Sequence, residues 1–137
     1  MSDARFRWPV RVYYEDTDAA GIVYYAGYLK FMERARTEWL RSLGFEHKEL
    51  ARTQGLLFVV ARLDVHYRKP ARLDDRLQVD ARVSHVGRAS FDMGQDVMRE
   101  DGERLCDARV RIGCLDAATL RPCRLPPSLL TELRRDD

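Results

Sequence analysis

The chain has 137 residues, a length typical of one domain, and 45% of its residues are hydrophobic and 34% charged. Its 24 Lys and Arg residues nearly balance 22 Asp and Glu residues, and neither sign forms the block that is typical of a nucleic-acid-binding tail or a polybasic membrane patch. No apolar run approaches the about 20 residues of a membrane-spanning helix, and residues 1–8 lack the apolar core of a signal peptide.

The cysteines point to a reducing compartment. Cys106, Cys114 and Cys123 are an odd number and have no CxxC spacing, so we expect reduced thiols rather than a disulfide framework or a zinc site. Together with the composition, this predicts a cytoplasmic, soluble protein whose residues 1–137 form a single domain.

The first half of the chain combines one short strand pattern with one long helix pattern. Val10, Val12 and Tyr14 alternate with more polar residues, which predicts a first strand. Apolar residues then recur at helical spacing, which predicts a helix over residues 26–43 that ends at Gly44. Residues 47–53 are predicted as a shorter helix, ended by Gly55.

The second half has strand patterns almost to its end. An apolar run covers residues 57–60, and alternating patterns follow over residues 63–67, 77–84, 91–97 and 105–114. Gly87 and the pair Asp101-Gly102 are turn signals, and a short terminal helix is predicted over residues 128–133. The order of one strand, one long helix and four further strands predicts a two-layer α+β domain.

Three carboxylates lie between the first predicted strand and the long helix: Glu15, Asp16 and Asp18. Capping of the helix N-terminus is the commoner role for such residues, and their spacing alone leaves it open. The segment that follows, with Gly21 and an apolar, aromatic run over residues 22–25, suits a second role. A carboxylate beside an apolar pocket that faces helix N–H donors is suited to acyl transfer, because the donors stabilise an oxyanion.

Two segments, YEDTDAAGIVYY at residues 14–25 and ERARTE at residues 33–38, resemble the hotdog-fold acyl-CoA thioesterases. The resemblance is to the branch with 4-hydroxybenzoyl-CoA thioesterase and the Tol-Pal-associated thioesterases, and it extends to Tyr67, residues 70–75 and residues 125–126. It implies an antiparallel sheet wrapped around one long central helix. It also implies hydrolysis of a short-chain or aromatic acyl-CoA to free acid and CoA, without a metal or other cofactor.

The resemblance assigns roles to individual residues. Asp18 matches the catalytic carboxylate, as nucleophile or general base, and the backbone N–H of Tyr25 matches the donor that polarises the thioester carbonyl. Many Tol-Pal-type relatives have His at the position of Tyr25; the Tyr here keeps the backbone donor but supplies no imidazole. The expected substrate-binding residues are Gly21, Tyr28, Val59, Val60, Arg88 and Ser90. Of these, Arg88 matches the place where the family contacts the phosphates of CoA.

The resemblance also implies a homo-oligomer, a dimer or a tetramer, with each site between subunits and residues 57–60 lining the pocket of the partner. An acyl carrier protein is an alternative carrier of the acyl group. Three other functions stay open on the residues alone: a hydratase of the same fold, a non-catalytic partner that binds acyl chains or acyl carrier protein, and a metal-dependent hydrolase built on the three carboxylates.

Overall fold

The computed structural model of the protein describes residues 5–136. Residues 1–4 and residue 137 lie outside the described residues. Residues 1–4 are half of the segment 1–8, in which the sequence has no signal-peptide pattern. The strands are β1 (Phe6–Arg11), β2 (Leu56–Tyr67), β3 (Arg76–Val86), β4 (Ser90–Arg99) and β5 (Arg104–Asp116), and the helices are α1 (Gly27–Ser42), α2 (His47–Gln54) and α3 (Pro127–Asp136).

All neighbouring strands are antiparallel, in the order β1-β3-β4-β5-β2. One long helix packed on this sheet is the predicted α+β architecture, and it confirms the hotdog fold that the resemblance implies. None of the helices within residues 5–136 is long and apolar enough to cross a membrane.

Helix α1 packs on the sheet through side chains three and four residues apart. Phe31, Met32, Ala35, Trp39 and Leu40 are buried, and the helix lies over β1, β3 and β4. Fully burying one side chain of the size of Leu or Phe stabilises the fold by about 1.5–3 kcal/mol. This face therefore fixes the helix on one half of the sheet.

The other half of the sheet ends at β2, whose second edge has no partner strand within residues 5–136. Four large apolar side chains on this strand are exposed, at fractions between 38% and 49%: Val59, Val60, Leu63 and Tyr67. A long edge strand with exposed apolar side chains is typical of a surface that a further chain covers.

One buried polar side chain connects α1 to the sheet. The Gln95 amide donates to the carbonyl oxygens of Met32, at 3.0 Å, and Asp80, at 3.2 Å, and its oxygen accepts a hydrogen bond from Arg36 at 3.0 Å. Asp80 is fully buried behind it and accepts the backbone N–H of Asp96. Burial raises the pKa of the Asp80 carboxyl group.

Most sequence expectations for the elements are confirmed, and the first strand is the main difference. It begins at Phe6 and ends at Arg11, because the chain turns into a single 3-10 turn over Tyr14–Asp16 instead of continuing to Tyr14. The runs predicted over residues 57–60 and 63–67 form the single strand β2, which is irregular between Val60 and Arg62.

Candidate functional site

The three acidic residues before α1 have different surroundings. Asp16 is buried, its carboxylate accepts the backbone N–H of Tyr13 at 2.8 Å, and its carbonyl oxygen accepts the N–H of Tyr24 at 3.2 Å. These bonds make Asp16 a structural residue of the turn. Glu15 and Asp18 are both exposed.

Asp18 occupies a tight turn whose backbone is closed by hydrogen bonds. Its carbonyl oxygen accepts the N–H of Gly21 at 3.0 Å, and its own N–H donates to Ile22 at 2.9 Å. Gly21 has φ +77°, a conformation that favours glycine. One carboxylate oxygen of Asp18 accepts the N–H of Ala20, and the other has no hydrogen-bond partner within residues 5–136. The turn thus presents one carboxylate oxygen that is unpaired among the described residues.

The N-terminus of α1 presents an unused hydrogen-bond donor. The N–H of Tyr25 has no backbone acceptor in the described part of the chain, while the carbonyl of the same peptide, on Tyr24, accepts the N–H of Gly27 at 2.8 Å. That bond orients the peptide. Tyr25 directly precedes Ala26, the N-cap residue of α1, so its N–H lies beside the partial positive charge of the helix N-terminus and suits a developing oxyanion.

Gly27 lets α1 begin close to the acidic turn. A Cβ atom at this position would lie 3.0 Å from the Cγ1 atom of Val23, which is tighter than an ordinary contact. An antiparallel bridge between Thr17 and Val23 connects the two sides of the turn. The carboxylate turn and the helix N-terminus are therefore parts of one compact unit.

Tyrosine side chains surround the helix start. The rings of Tyr24 and Tyr25 lie 4.5 Å apart, and those of Tyr28 and Tyr67 lie 5.5 Å apart. The hydroxyl of Tyr67, at the end of β2, donates to the Tyr25 carbonyl at 2.9 Å, and the hydroxyl of Tyr28 accepts the N–H of Ala71 at 2.9 Å. Burial raises the pKa of the Tyr28 and Tyr67 hydroxyls, so both stay neutral near pH 7.

A groove runs between α1 and β2 and contains Val59 and Val60. A cavity of about 310 Å³ lies nearer the start of α1, and one of about 210 Å³ lies further along; Val60 lines both. The second cavity has apolar and aromatic walls, with polar side chains from the helices: Phe58, Val59, Phe91, Met93 and Ile112, with Glu33, Arg36 and His47. Burial lowers the pKa of His47.

Arg88 and Ser90 lie far from Asp18 in the same chain. The Asp18 loop contacts the segment just before β3, through the bridge between Ile22 and Arg72, whereas Arg88 follows the end of β3. The 11 residues of β3, at about 3.3 Å each, separate these ends by roughly 35 Å. Arg88 lines an open cleft of about 570 Å³ beside α3, together with Leu56, Arg124, Leu125, Leu130 and Arg134.

The structure thus brings Asp18, Gly21 and Tyr25 together and places Tyr28 behind them as a buried support. Val60 lines the part of the groove nearer the start of α1, and Val59 lines the part further along. Arg88 follows the far end of β3, and Ser90 lies in the same row of the sheet as Val59, because both pair with Gly113. Among residues 5–136, no three His, Cys, Asp or Glu side chains are grouped as a metal site requires.

A family model described as the thioesterase-like superfamily matches residues 12–133. The chain belongs to this superfamily. It is 47% identical over 126 residues to the acyl-CoA thioesterase YbgC of Haemophilus influenzae, and the match covers 92% of each chain. It is 41% identical over 135 residues to the acyl-CoA thioester hydrolase YbgC of Escherichia coli O157:H7, covering 98% of this chain and 100% of that protein.

Solved structures agree with the sequence relatives. A probable thioesterase from Bartonella henselae matches with a TM-score of 0.85 and 37% identity, covering 90% of this chain and 100% of that one. The protein is therefore a member of the thioesterase-like superfamily and a thioester hydrolase, as the resemblance implied.

The hydrogen bond from Tyr67 to the helix start could not be identified from the sequence. Tyr67 continues the alternation of Leu63 and Val65, a pattern that predicts strand packing and gives no sign of a bond to residue 25. The resemblance of Tyr67 to the family pattern was the one indication in the sequence that this residue has a specific role. The hydrogen bond to the Tyr25 carbonyl gives that resemblance a physical reason.

We expect Tyr67→Phe to lower kcat for thioester hydrolysis by about three- to tenfold and to change KM by less than about twofold. The substitution removes the hydrogen bond that holds the Tyr25 carbonyl and leaves the aromatic ring in place. Steady-state kinetics on one acyl thioester would measure this effect. Tyr14→Phe is the matched control, because Tyr14 is 83% exposed. Equal kinetics for the two variants would contradict the positioning role.

Proposed function

We propose that this protein hydrolyses the thioester bond of a short-chain or aromatic acyl-CoA, with Asp18 as the catalytic carboxylate and the N–H of Tyr25 as the oxyanion donor. The observation that carries the proposal is the unpaired Tyr25 N–H at the helix start, next to the turn that presents Asp18. The similarity to acyl-CoA thioesterases of other bacteria supports the choice of substrate.

The proposed site supports two routes, and both need the same two groups. In one route, a carboxylate oxygen of Asp18 attacks the thioester carbonyl carbon. The C–S bond breaks, CoA leaves as a thiol after protonation, and water hydrolyses the resulting anhydride. In the other route, Asp18 takes a proton from a water molecule that attacks the same carbon. In each case, negative charge develops on the carbonyl oxygen, where the Tyr25 N–H stabilises it.

The acyl group is proposed to lie between α1 and β2. The exposed rings of Tyr24 and Tyr25 border the carboxylate turn, and the groove that contains Val60 begins beside α1. Apolar side chains such as Leu29, Met32 and Leu63 line its first part, so acyl carbon atoms would leave water as they enter.

Asp18→Asn is expected to lower kcat by at least about 10²-fold, because it removes either the nucleophile or the base. KM should change little and the melting temperature should be unaltered, since the amide oxygen of the substituted side chain can still accept the N–H of Ala20. Release of the CoA thiol, followed with a thiol reagent, would measure the rate.

Glu15→Gln is the control for this variant, because it neutralises an exposed carboxylate three residues away. Its turnover should match the wild type. An Asp18→Asn enzyme that turns over as fast as Glu15→Gln would rule out the proposed catalytic residue.

A composite site between two subunits would explain the distance between Asp18 and Arg88. The edge of β2 that has no partner strand among residues 5–136 allows two copies to join antiparallel around a twofold axis. Such pairing places the Tyr67 end of one β2 next to the Leu56 end of the other. Leu56 lines the same cleft as Arg88 and Arg124. The dimer would therefore bring the basic cleft of one subunit to the Asp18 turn of its partner.

The basic cleft has the chemistry for the phosphate groups of the carrier. Within the described residues, Arg88, Arg124 and Arg134 have no ion-pair partner among the acidic side chains, so their guanidinium groups are available to phosphate. CoA and the phosphopantetheine of an acyl carrier protein share this requirement. We also propose that the protein is located in the cytoplasm, where both carriers are made. In addition, we propose that two dimers pair into a tetramer.

Subunit complementation tests the composite site. Asp18→Asn and the double variant Arg88→Ala/Arg124→Ala should each hydrolyse acyl-CoA poorly at a concentration below KM. After the two are unfolded and refolded together in equal amounts, half of the dimers are mixed, and each has one intact site. Activity should recover to about a quarter of the wild-type value.

The mixture should also elute as a dimer or larger in size-exclusion chromatography with light scattering. Activity no higher than the sum of the two variants, in a mixture that contains mixed dimers, would contradict a site shared between subunits.

A further inference from the structure

Two of the three cysteines lie side by side at the end of the sheet. Cys114 is near the end of β5 and Cys123 is in the segment that leads to α3, and their Sγ atoms are 3.5 Å apart. The N–H of Cys123 donates to the carbonyl of Cys114 at 2.9 Å, and Leu115 and Pro122 form an antiparallel bridge next to them.

This pairing makes the two cysteines direct neighbours across a short two-stranded ribbon. Opposed residues in such a ribbon have Cβ atoms about 4.5–5.5 Å apart, and a disulfide needs about 3.5–4.5 Å. A small approach of the two backbones, at the end of the sheet, would therefore allow an S–S bond to form.

The two thiols differ in access. Cys114 is fully buried, and burial raises its pKa to about 12, so its thiol reacts poorly with reagents from solution. Cys123 is partly exposed. Cys106, the third cysteine, is buried at the other end of β5, opposite Tyr67, and has no thiol neighbour among the described residues.

We propose that Cys114 and Cys123 form a reversible disulfide with a low-molecular-weight disulfide as the oxidant. The Cys123 thiolate attacks one sulfur of the oxidant, which gives a mixed disulfide and releases one thiol. Cys114 then attacks the Cys123 sulfur and expels the second thiol. Overall, the two protein thiols lose two protons and two electrons, and the oxidant is reduced to two thiols. Formation of this disulfide requires no step of the proposed hydrolysis, although Cys123 directly precedes Arg124 of the basic cleft.

The disulfide would tie the C-terminal segment to the sheet. It closes a loop through residues 115–122 and holds the chain just before α3, whose buried residues Leu129 and Leu133 belong to the core. A disulfide that closes a loop of this length should raise the melting temperature of the oxidised protein by roughly 5–10 °C relative to the reduced protein. A reductant should reverse this change.

Incubation of the folded protein with oxidised glutathione, followed by intact mass and peptide mapping, tests the proposal. The wild type should lose the mass of two hydrogen atoms, retain no glutathione and yield a peptide in which Cys114 and Cys123 are linked. Cys114→Ser should instead keep one glutathione on Cys123, because the second thiol is missing. Cys123→Ser should show no change.

Cys114→Ala is a second variant in case the serine hydroxyl disturbs the buried position, and melting curves in reductant check that each variant is folded. Cys106 should react with an alkylating reagent only after denaturation. A wild type that keeps glutathione on Cys123, that stays unmodified, or that links Cys106 would overturn the proposal, as would an oxidised form that melts no higher than the reduced one.

Discussion

Two tyrosine hydroxyls hold the start of α1 against the sheet, and the geometry of the candidate site depends on them. The Tyr67 hydroxyl donates to the carbonyl of Tyr25, and the Tyr28 hydroxyl accepts the N–H of Ala71. These bonds connect the helix start to the end of β2 and to the segment before β3. With the helix start fixed in this way, the N–H of Tyr25 has a defined direction without a substrate, which is the preorganisation that stabilisation of an oxyanion requires.

The position of α1 has a second consequence. Because the helix covers β1, β3 and β4, the apolar side chains of β2 stay exposed and the strand keeps a free edge within the described residues. Strands β3, β4 and β5 contribute buried residues to the core of the subunit, and the edge strand β2 is available for a groove and a subunit contact. A single chain has the carboxylate turn at one end of the sheet and the basic cleft at the other, so we infer that assembly completes the site.

The fold was largely predictable because hydrophobic periodicity reflects burial. The helix expected over residues 26–43 is α1, and Gly55 ends α2 with φ +64° as the glycine pattern predicted. The end of β1 was not predictable, since it depends on the hydrogen bond from the Tyr13 N–H to Asp16. Spacing could not separate Asp16 from Asp18 either, because their difference lies in burial and bonding. The proximity of Cys114 and Cys123 depends on a turn that brings residues 114 and 123 opposite each other.

A crystal structure with a non-hydrolysable acyl-CoA analogue would show whether the Tyr25 N–H and Asp18 form the catalytic site, because the position of the thioester carbonyl group distinguishes the alternatives. We expect the carbonyl oxygen to lie about 3 Å from the Tyr25 nitrogen, with the Asp18 carboxylate facing the carbonyl carbon and the CoA phosphates on Arg88 of the partner subunit. A carbonyl oxygen bound to another donor, such as His47 or Arg36 in the cavity beside α1, with the Tyr25 N–H still unpaired, would contradict the account.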